Sequence, residues 1–407
     1  MAEVTIRRLG HLGDGIAEDE TGAPVYAPRT LPGEVVAGEV EGNRIDAPRI
    51  LTPSPDRVRA PCPHYRSCGS CQLQHASDGF VATWKREVVT AALAAQGLSA
   101  PVLGPDTSPE RSRRRATLAG RRLKSGALVG FHGARSGTVV PIPDCRVLSP
   151  DLIACLPALE AMVREGGSRK GEMSLALTAS DTGIDCAVSG GRALDTALLS
   201  TLPRHADTFL RLTWNGETVF AAAPPRFRFG TAEVEPPPGA FLQATKAGEA
   251  ALTAAVMEAV EGAAGIVDLF AGCGTFTLPL AATAPVHAVE GEAALTATLD
   301  RAARHAAGLK PVTVETRDLF RRPLTPDELS RYDAAVIDPP RAGAEAQTAE
   351  LARARIPRIA MVSCNPVTFA RDAKLLAEAG YRIEQVQVVD QFRWSTHVEL
   401  AAALRLT

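Results

Sequence analysis

Val267-Asp-Leu-Phe-Ala-Gly-Cys-Gly-Thr-Phe-Thr277 is a short apolar run that breaks into glycines at 272 and 274. An apolar strand followed by a Gly-x-Gly turn opens a βα unit, because small residues let the backbone approach a ligand closely. The flanking sequence keeps the same rhythm. Upstream, Leu252, Ala255, Val256, Ala259 and Val260 share one helical face, and Gly262 stops that helix. Downstream, strands are predicted over 266–268, 286–290, 312–315, 334–338 and 359–364, with helices over 293–307 and 368–379 between them. This alternation predicts a doubly wound, Rossmann-like α/β domain.

The turn also constrains the ligand. A dinucleotide fingerprint would carry a third glycine at 277 to seat a helix over pyrophosphate, and Thr277 stands there instead. Glu290 ends the next strand, 22 residues after Asp268, where a carboxylate suits a ribose diol. A nucleoside without pyrophosphate fits, and S-adenosylmethionine is one. A generic glycine turn would explain Gly272 and Gly274 alone. It does not explain Asp318, Asp338 and Cys364 at the ends of the next three strands, where open α/β sheets bind ligands.

Two motifs carry chemistry, Asp338-Pro-Pro-Arg-Ala-Gly343 and Ser363-Cys-Asn-Pro366. Asp-Pro-Pro followed by an aromatic would suggest amine methylation; Arg341 takes that place. Cys364 leaves the sheet where a thiol could attack carbon, although a free Cys is more commonly a small buried hydrophobe. Eight cysteines in a long chain do not suggest a disulfide scaffold. Cys62, Cys68 and Cys71 cluster and read as metal ligands. A fourth, distant thiolate would complete either a [4Fe–4S] site or a four-cysteine zinc site, and three close ligands with one distant lean to iron–sulfur.

Together these motifs resemble the RNA uracil-5-methyltransferases of the TrmA/RlmD type. Phe241-Leu-Gln243 and Thr396-His-Val-Glu399 extend the resemblance, which covers essentially the whole chain in the right order. It implies that Cys364 is the nucleophile and Glu399 the base that takes the C5 proton. Glu399 opens the last strand, which in class I methyltransferases is inserted antiparallel, so its start lies at the active edge. Phe270, Thr275, Glu290, Asp318 and Asp338 would line the S-adenosylmethionine pocket, with Gln243 reaching the substrate or cofactor side. Cys62-Pro-His-Tyr-Arg-Ser-Cys-Gly-Ser-Cys71 resembles the [4Fe–4S] motif of the rRNA branch, with Cys145 as fourth ligand. The tRNA-acting branch lacks that motif, so 23S rRNA is the expected substrate. Cys155, Cys186 and Cys273 are expected to be unligated. Two departures stand out: Ala244 and Thr245 follow Phe-x-Gln where the family often has Asn, and Arg301-Ala-Ala-Arg-His305 replaces Asn-Ala-x-x-Asn.

Three domains are expected. Residues 1–57, short strands broken by Gly13, Gly15, Gly22, Pro32 and Gly33, read as a small OB-like β-barrel, which the resemblance identifies as a TRAM domain. Residues 58–240 would hold the cluster and an antiparallel α+β central domain, with a helix over 79–96 and a hairpin turning at Asn215-Gly216. Residues 241–407 would be the methyltransferase domain.

The chain has 407 residues and a net charge of −2, which excludes a wholesale basic surface but not a local patch. No acidic residue occurs between Glu110 and Asp144, while Arg111, Arg113, Arg114, Arg115, Arg121, Arg122, Lys124 and Arg135 do. That stretch reads as a basic β edge for RNA phosphates, or as a solvated face. No run is apolar enough to span a membrane, and the N-terminal stretch has no apolar leader, so a cytoplasmic monomer without membrane contact is expected. Other readings are a tRNA uracil-5 or RNA cytosine-5 methyltransferase, or a non-catalytic RNA-binding protein with a structural cluster.

Overall fold

Continuous apolar runs form the central strands of the largest sheet. Ile266–Leu269 and Ala334–Ile337 are buried at every residue, as strands covered on both faces must be. The structure, a computed structural model, describes residues 2–407. Its largest sheet has eight strands in the order Val312–Thr316, Val286–Glu290, Ile266–Leu269, Ala334–Ile337, Arg358–Ser363, Glu399–Leu406, Tyr381–Asp390 and Val102–Thr107. Only Glu399–Leu406 runs antiparallel to its neighbours.

Alternation along the strands assigns the two faces. On one, Val256 and Val260 of helix Lys246–Ala259 and its C-cap pack on Ile266, Val336, Ala360 and Ala403. On the other, Leu351, Phe369 and Leu376 pack on Val267, Ala335, Ile359 and Leu404. The chain steps outward from Ile266–Leu269 to Val312–Thr316, then crosses back to Ala334–Ile337 on the other side. That reversal opens a crevice beyond the carboxyl ends of the strands.

The eighth strand redraws the domain boundary expected at 241. Val102–Thr107 pairs in parallel with Tyr381–Asp390, and Val89 and Leu93 of helix Asp78–Ala95 lie in the core beneath that sheet. An edge strand bearing Gly104 and Pro105 has little of the usual strand pattern, since Pro is tolerated at edges. Lys85 stands on the apolar stripe of the helix, and its Nζ meets Asp390 Oδ1 at 2.6 Å with both side chains essentially unexposed. A second bond, 2.9 Å to His397 O, completes the tie.

The middle sheet has seven strands, with its core built from Leu118, Leu159, Leu175, Leu212 and Trp214. Its pairs are antiparallel except one: Ile184–Ser189 runs parallel to Arg211–Trp214, reached through the helical crossover of residues 196–205. The purely antiparallel reading is corrected to that extent, because a parallel neighbour requires such a crossover. The hairpin turns at Asn215 and Gly216, both at positive φ. Near the N-terminus, two three-stranded antiparallel sheets adjoin a core of Ile6, Ala17, Val25, Val36 and Ile45.

Candidate functional site

The antiparallel strand brings the two candidate reacting groups together. Ser363 pairs with Leu400, so the next step of the ladder places Cys364 beside Glu399 at the mouth of the crevice. Beyond Cys364, Asn365 caps helix Pro366–Glu378 by accepting from Val367 N at 3.1 Å. The thiol therefore stands at a helix N-terminus, which favours its anionic form. Asn365 Nδ2 donates to Arg341 O at 3.0 Å and Thr368 Oγ1 donates to it at 3.2 Å, pinning the Asp-Pro-Pro-Arg loop against the Cys-Asn-Pro turn.

Phe270 follows strand Ile266–Leu269, and its φ of 63° is costly for a bulky residue. Gly274 has a φ of 98°, which favours glycine, and a Cβ there would press on the Leu299 side chain of helix Ala293–His305. Gly272 N donates to Glu290 Oε2 at 3.0 Å and Glu292 N donates to Oε1 at 2.9 Å, which fixes the carboxylate at the end of the second strand. Asp318 Oδ1 accepts from Phe320 N at 3.0 Å, and the Phe320 ring sits 5.3 Å from that of Phe270.

All eight candidate residues of this end of the sheet line a single cavity of about 480 Å³: Gln243, Phe270, Thr275, Glu290, Asp318, Asp338, Cys364 and Glu399. Burial dominates its electrostatics. It pushes Glu399 up to about 7, against a hydrogen bond from Gln391 and the charge of Lys85. It pushes Asp338 up to about 8, with Glu399 and Asp268 adding to the effect. The Cys364 thiol is also raised, by burial and then by Glu399 and Asp338, with Arg341 opposing. Groups held in their neutral forms by desolvation respond strongly to an incoming charge.

Three residues here escaped the sequence reading. Phe320 is a half-exposed aromatic two residues beyond Asp318, and that spacing was its signal. Gln391 is buried and bonds both Gln243 and Glu399, with no signal except its nearness to Glu399. Lys85 could have been found as a charge on an apolar helical stripe.

The cysteines fall into two sets. Cys62, Cys68, Cys71 and Cys145 line one chamber of about 20 Å³, closed by Phe131, Ile142 and Val147. Burial raises the Cys68 and Cys145 thiols and pushes Cys71 up to about 12, and each feels the other cysteines. Val147 N donates to Cys145 Sγ at 3.5 Å. Among the described residues, no three Cys, His, Asp or Glu side chains stand close enough to hold a metal ion as placed. By its chemistry alone the donor set suits a soft metal or cluster: four thiols, three from one short segment and Cys145 from another. Cys155, Cys186 and Cys273 are buried elsewhere, the first two in the core of the middle sheet.

The basic window does not form a β edge. Strand Arg115–Arg122 lies inside the middle sheet, between Ala127–His132 and Met173–Ala179. Arg114 is buried and meets Glu249 at 2.5 Å; Arg113 stacks on Phe392 and Arg115 on Phe241. Arg135 pairs with Asp14. Arg113, Arg114 and Arg115 are thus committed to partners inside the protein, while Arg111, Arg121 and Lys124 stay exposed. A different groove, of about 560 Å³, is lined by Arg29, Arg59 and Arg66, and by Arg57, which is already paired with the buried Glu34; no carboxylate is in its lining, and it lies between the N-terminal sheets and the cysteine segment. No helix among the described residues is long and apolar enough to cross a membrane.

Residues 301–406 match the family model described as tRNA (Uracil-5-)-methyltransferase. The chain is 44% identical to a protein named uncharacterized RNA methyltransferase from Brucella suis biovar 1, over 99% of this chain and 97% of that one. It is 34% identical, over 98% of this chain and 88% of the other, to the 23S rRNA (uracil(1939)-C(5))-methyltransferase RlmD of Halomonas elongata. Among solved structures, the tRNA (uracil-54, C5)-methyltransferase of Pyrococcus abyssi, in complex with S-adenosyl-L-homocysteine, superposes with a TM-score of 0.76 at 24% identity, covering 99% of both chains. At that identity the match speaks for the fold.

Proposed function

The chain belongs to the RNA uracil-5 methyltransferases, S-adenosylmethionine-dependent enzymes, and from that premise we propose that it converts one uridine of 23S rRNA to 5-methyluridine by covalent catalysis. The observation that carries the reading is the ladder step that sets Cys364 beside Glu399 in the same cavity as Glu290 and the Phe270–Phe320 pair.

Uracil C5 is too weak a nucleophile to take a methyl group unaided. The Cys364 thiolate adds to C6, and the C5–C6 π electrons move onto O4 as an enolate. C5 then attacks the sulfonium methyl carbon, the S–CH₃ bond breaks, and S-adenosylhomocysteine is released. Glu399 takes the C5 proton, and elimination of the thiolate restores the ring. The helix N-terminus and Arg341 favour the thiolate, and the cofactor's positive charge would lower Cys364, Asp338 and Glu399 together. Glu290 suits the ribose diol, and Phe270 and Phe320 offer an aromatic wall to the adenine. Asp338, Thr275, Asp318 and Gln243 complete the cofactor side. A base must leave its stack to reach Cys364.

Cys62, Cys68, Cys71 and Cys145 would hold a [4Fe–4S] cluster that braces the fold around the cysteine segment. The N-terminal sheets would act as a TRAM domain. The arginine groove beside them replaces the expected β edge as the site for RNA phosphates. A monomer with domains near 1–57, 58–240 and 241–407 remains the working organisation, amended by the shared sheet.

The test is methyl transfer from labelled S-adenosylmethionine to unmodified 23S rRNA and tRNA transcripts, using anaerobically prepared protein with Cys364→Ala alongside. Label as 5-methyluridine in rRNA, absent with the variant, is the expected result. Label only in tRNA would move the enzyme to the tRNA branch. Binding without label would leave an RNA-binding protein.

A further inference from the structure

Gln391 lies in the turn that leaves strand Tyr381–Asp390 and is 1% exposed. Its Oε1 accepts the N–H groups of Ala244 at 2.7 Å and Thr245 at 3.3 Å. A backbone N–H can only donate, so these bonds decide which end of the amide is oxygen. Nε2 must then point the other way, where it donates to Gln243 Oε1 at 2.5 Å and to Glu399 Oε2. Two donated and two accepted bonds exhaust this amide.

The orientation passes to Gln243. Its oxygen is engaged by Gln391, so its own NH₂ is the end left for the cavity it lines. One buried amide thus couples three things: the chain entering helix Lys246–Ala259, the direction of the Gln243 side chain, and the position of the Glu399 carboxylate.

We propose that Gln391 is a positioning residue that presents Gln243 to the reaction cavity as a hydrogen-bond donor and holds Glu399 ready for proton removal. The second half rests on the reading of Glu399 as the base. The group Gln243 meets is an oxygen acceptor at the Glu399 end of the cavity. Both the carboxylate of the cofactor's methionyl arm and the C4 carbonyl of uracil have that chemistry. A cytosine amino group there would set donor against donor.

Glu399 is faced by Lys85 from helix Asp78–Ala95, by Asp390 from the neighbouring strand, by Asp338 and by Cys364. The Gln391 N–H favours its charged form, so losing that donor raises the carboxyl further.

The test uses Gln391→Leu and Gln391→Glu in the full-length, cluster-loaded protein. The Glu variant keeps an acceptor for Ala244 and Thr245 while removing the donors, so it retains the backbone anchor should the Leu variant fold poorly. Single-turnover methyl transfer is followed against pH, and S-adenosylhomocysteine affinity by calorimetry, with Gln243→Leu and Glu399→Gln in parallel. The expected result is a limb at higher pH and a rate lowered about 100-fold, the scale of a small misplacement. If the acceptor is the cofactor carboxylate, the Gln391 and Gln243 variants weaken S-adenosylhomocysteine alike. If it is the uracil carbonyl, that affinity holds and RNA with cytidine at the target is no longer rejected. An unshifted limb with wild-type rate and affinity in both Gln391 variants would overturn the proposal. Full activity of Glu399→Gln would instead remove the base assignment, while the Gln243 arm would still be read from binding and discrimination.

Discussion

Two of the places where burial pushes ionisable groups toward their neutral forms differ in room. At the sheet end, Glu399, Asp338 and Cys364 are raised around a cavity of about 480 Å³. In the cysteine segment, Cys68, Cys71 and Cys145 are raised around a chamber of about 20 Å³. The first has room for a nucleoside and a base; the second has room for little more than a water-sized group. Desolvation alone therefore does not mark a catalytic centre. Space decides whether the tension is relieved by a ligand that turns over or by one that stays.

The sharpest way to break this comparison is to exchange the consequences of losing one thiol from each place. Cys364→Ala should lower methyl transfer about 10⁴-fold or more while leaving iron content and thermal midpoint unchanged. RNA carrying 5-fluorouridine should trap a covalent adduct with the parent protein and none with the variant. Cys71→Ser should do the reverse first: bound iron is lost and stability falls by about 4 kcal/mol, the scale of losing a metal ligand. Similar behaviour of the two variants in both assays would dissolve the distinction.

Glu399→Gln sharpens it further. Transfer should fall about 100-fold or more, with the covalent adduct accumulating because its C5 proton has no acceptor. The parent's rate should rise with pH as Glu399 ionises, at or below the value of about 7 that burial sets before the cofactor binds. Stability runs the opposite way. Between the ordinary carboxyl value and about 7, the unfolded chain releases a proton that the folded protein keeps, so each pH step favours unfolding. Above that window Glu399→Gln should be more stable than the parent, by on the order of 2 kcal/mol. Equal midpoints across pH would count against a buried, raised Glu399.

The smallest effect belongs outside both places. Arg59 and Arg66 line the carboxylate-free groove, and the pair changed to Ala should reduce the salt dependence of RNA binding by a slope of about 1 to 2, leaving S-adenosylhomocysteine affinity alone. An unchanged slope would remove that groove from the RNA path.

Legibility followed the same division. Glu290, Asp318, Asp338 and Cys364 could be read because parallel strands place their last residues on one edge, so strand ends become site residues by periodicity alone. Glu399 needed the antiparallel insertion, which the motif supplied and the Ser363–Leu400 register explains. The basic window misled because local sequence does not tell an interior strand from an edge one. Arg113, Arg114 and Arg115 turned to internal partners. Gln391 escaped because its other partners, Gln243, Ala244 and Thr245, lie far away in the chain, while Phe320 had only its spacing from Asp318 to mark it. The same holds for Val102–Thr107, which pairs with residues nearly three hundred positions later.

That late pairing has a consequence for biosynthesis. Helix Asp78–Ala95 and strand Val102–Thr107 emerge from the ribosome early, with Lys85 still lacking Asp390 and the strand still lacking Tyr381–Asp390. They must wait, apolar stripe uncovered, until residues 381–390 have been made. Sheet closure is therefore a late event of high contact order, slow and exposed to aggregation. A nascent chain stalled before residue 381 should engage holding chaperones that the finished protein ignores.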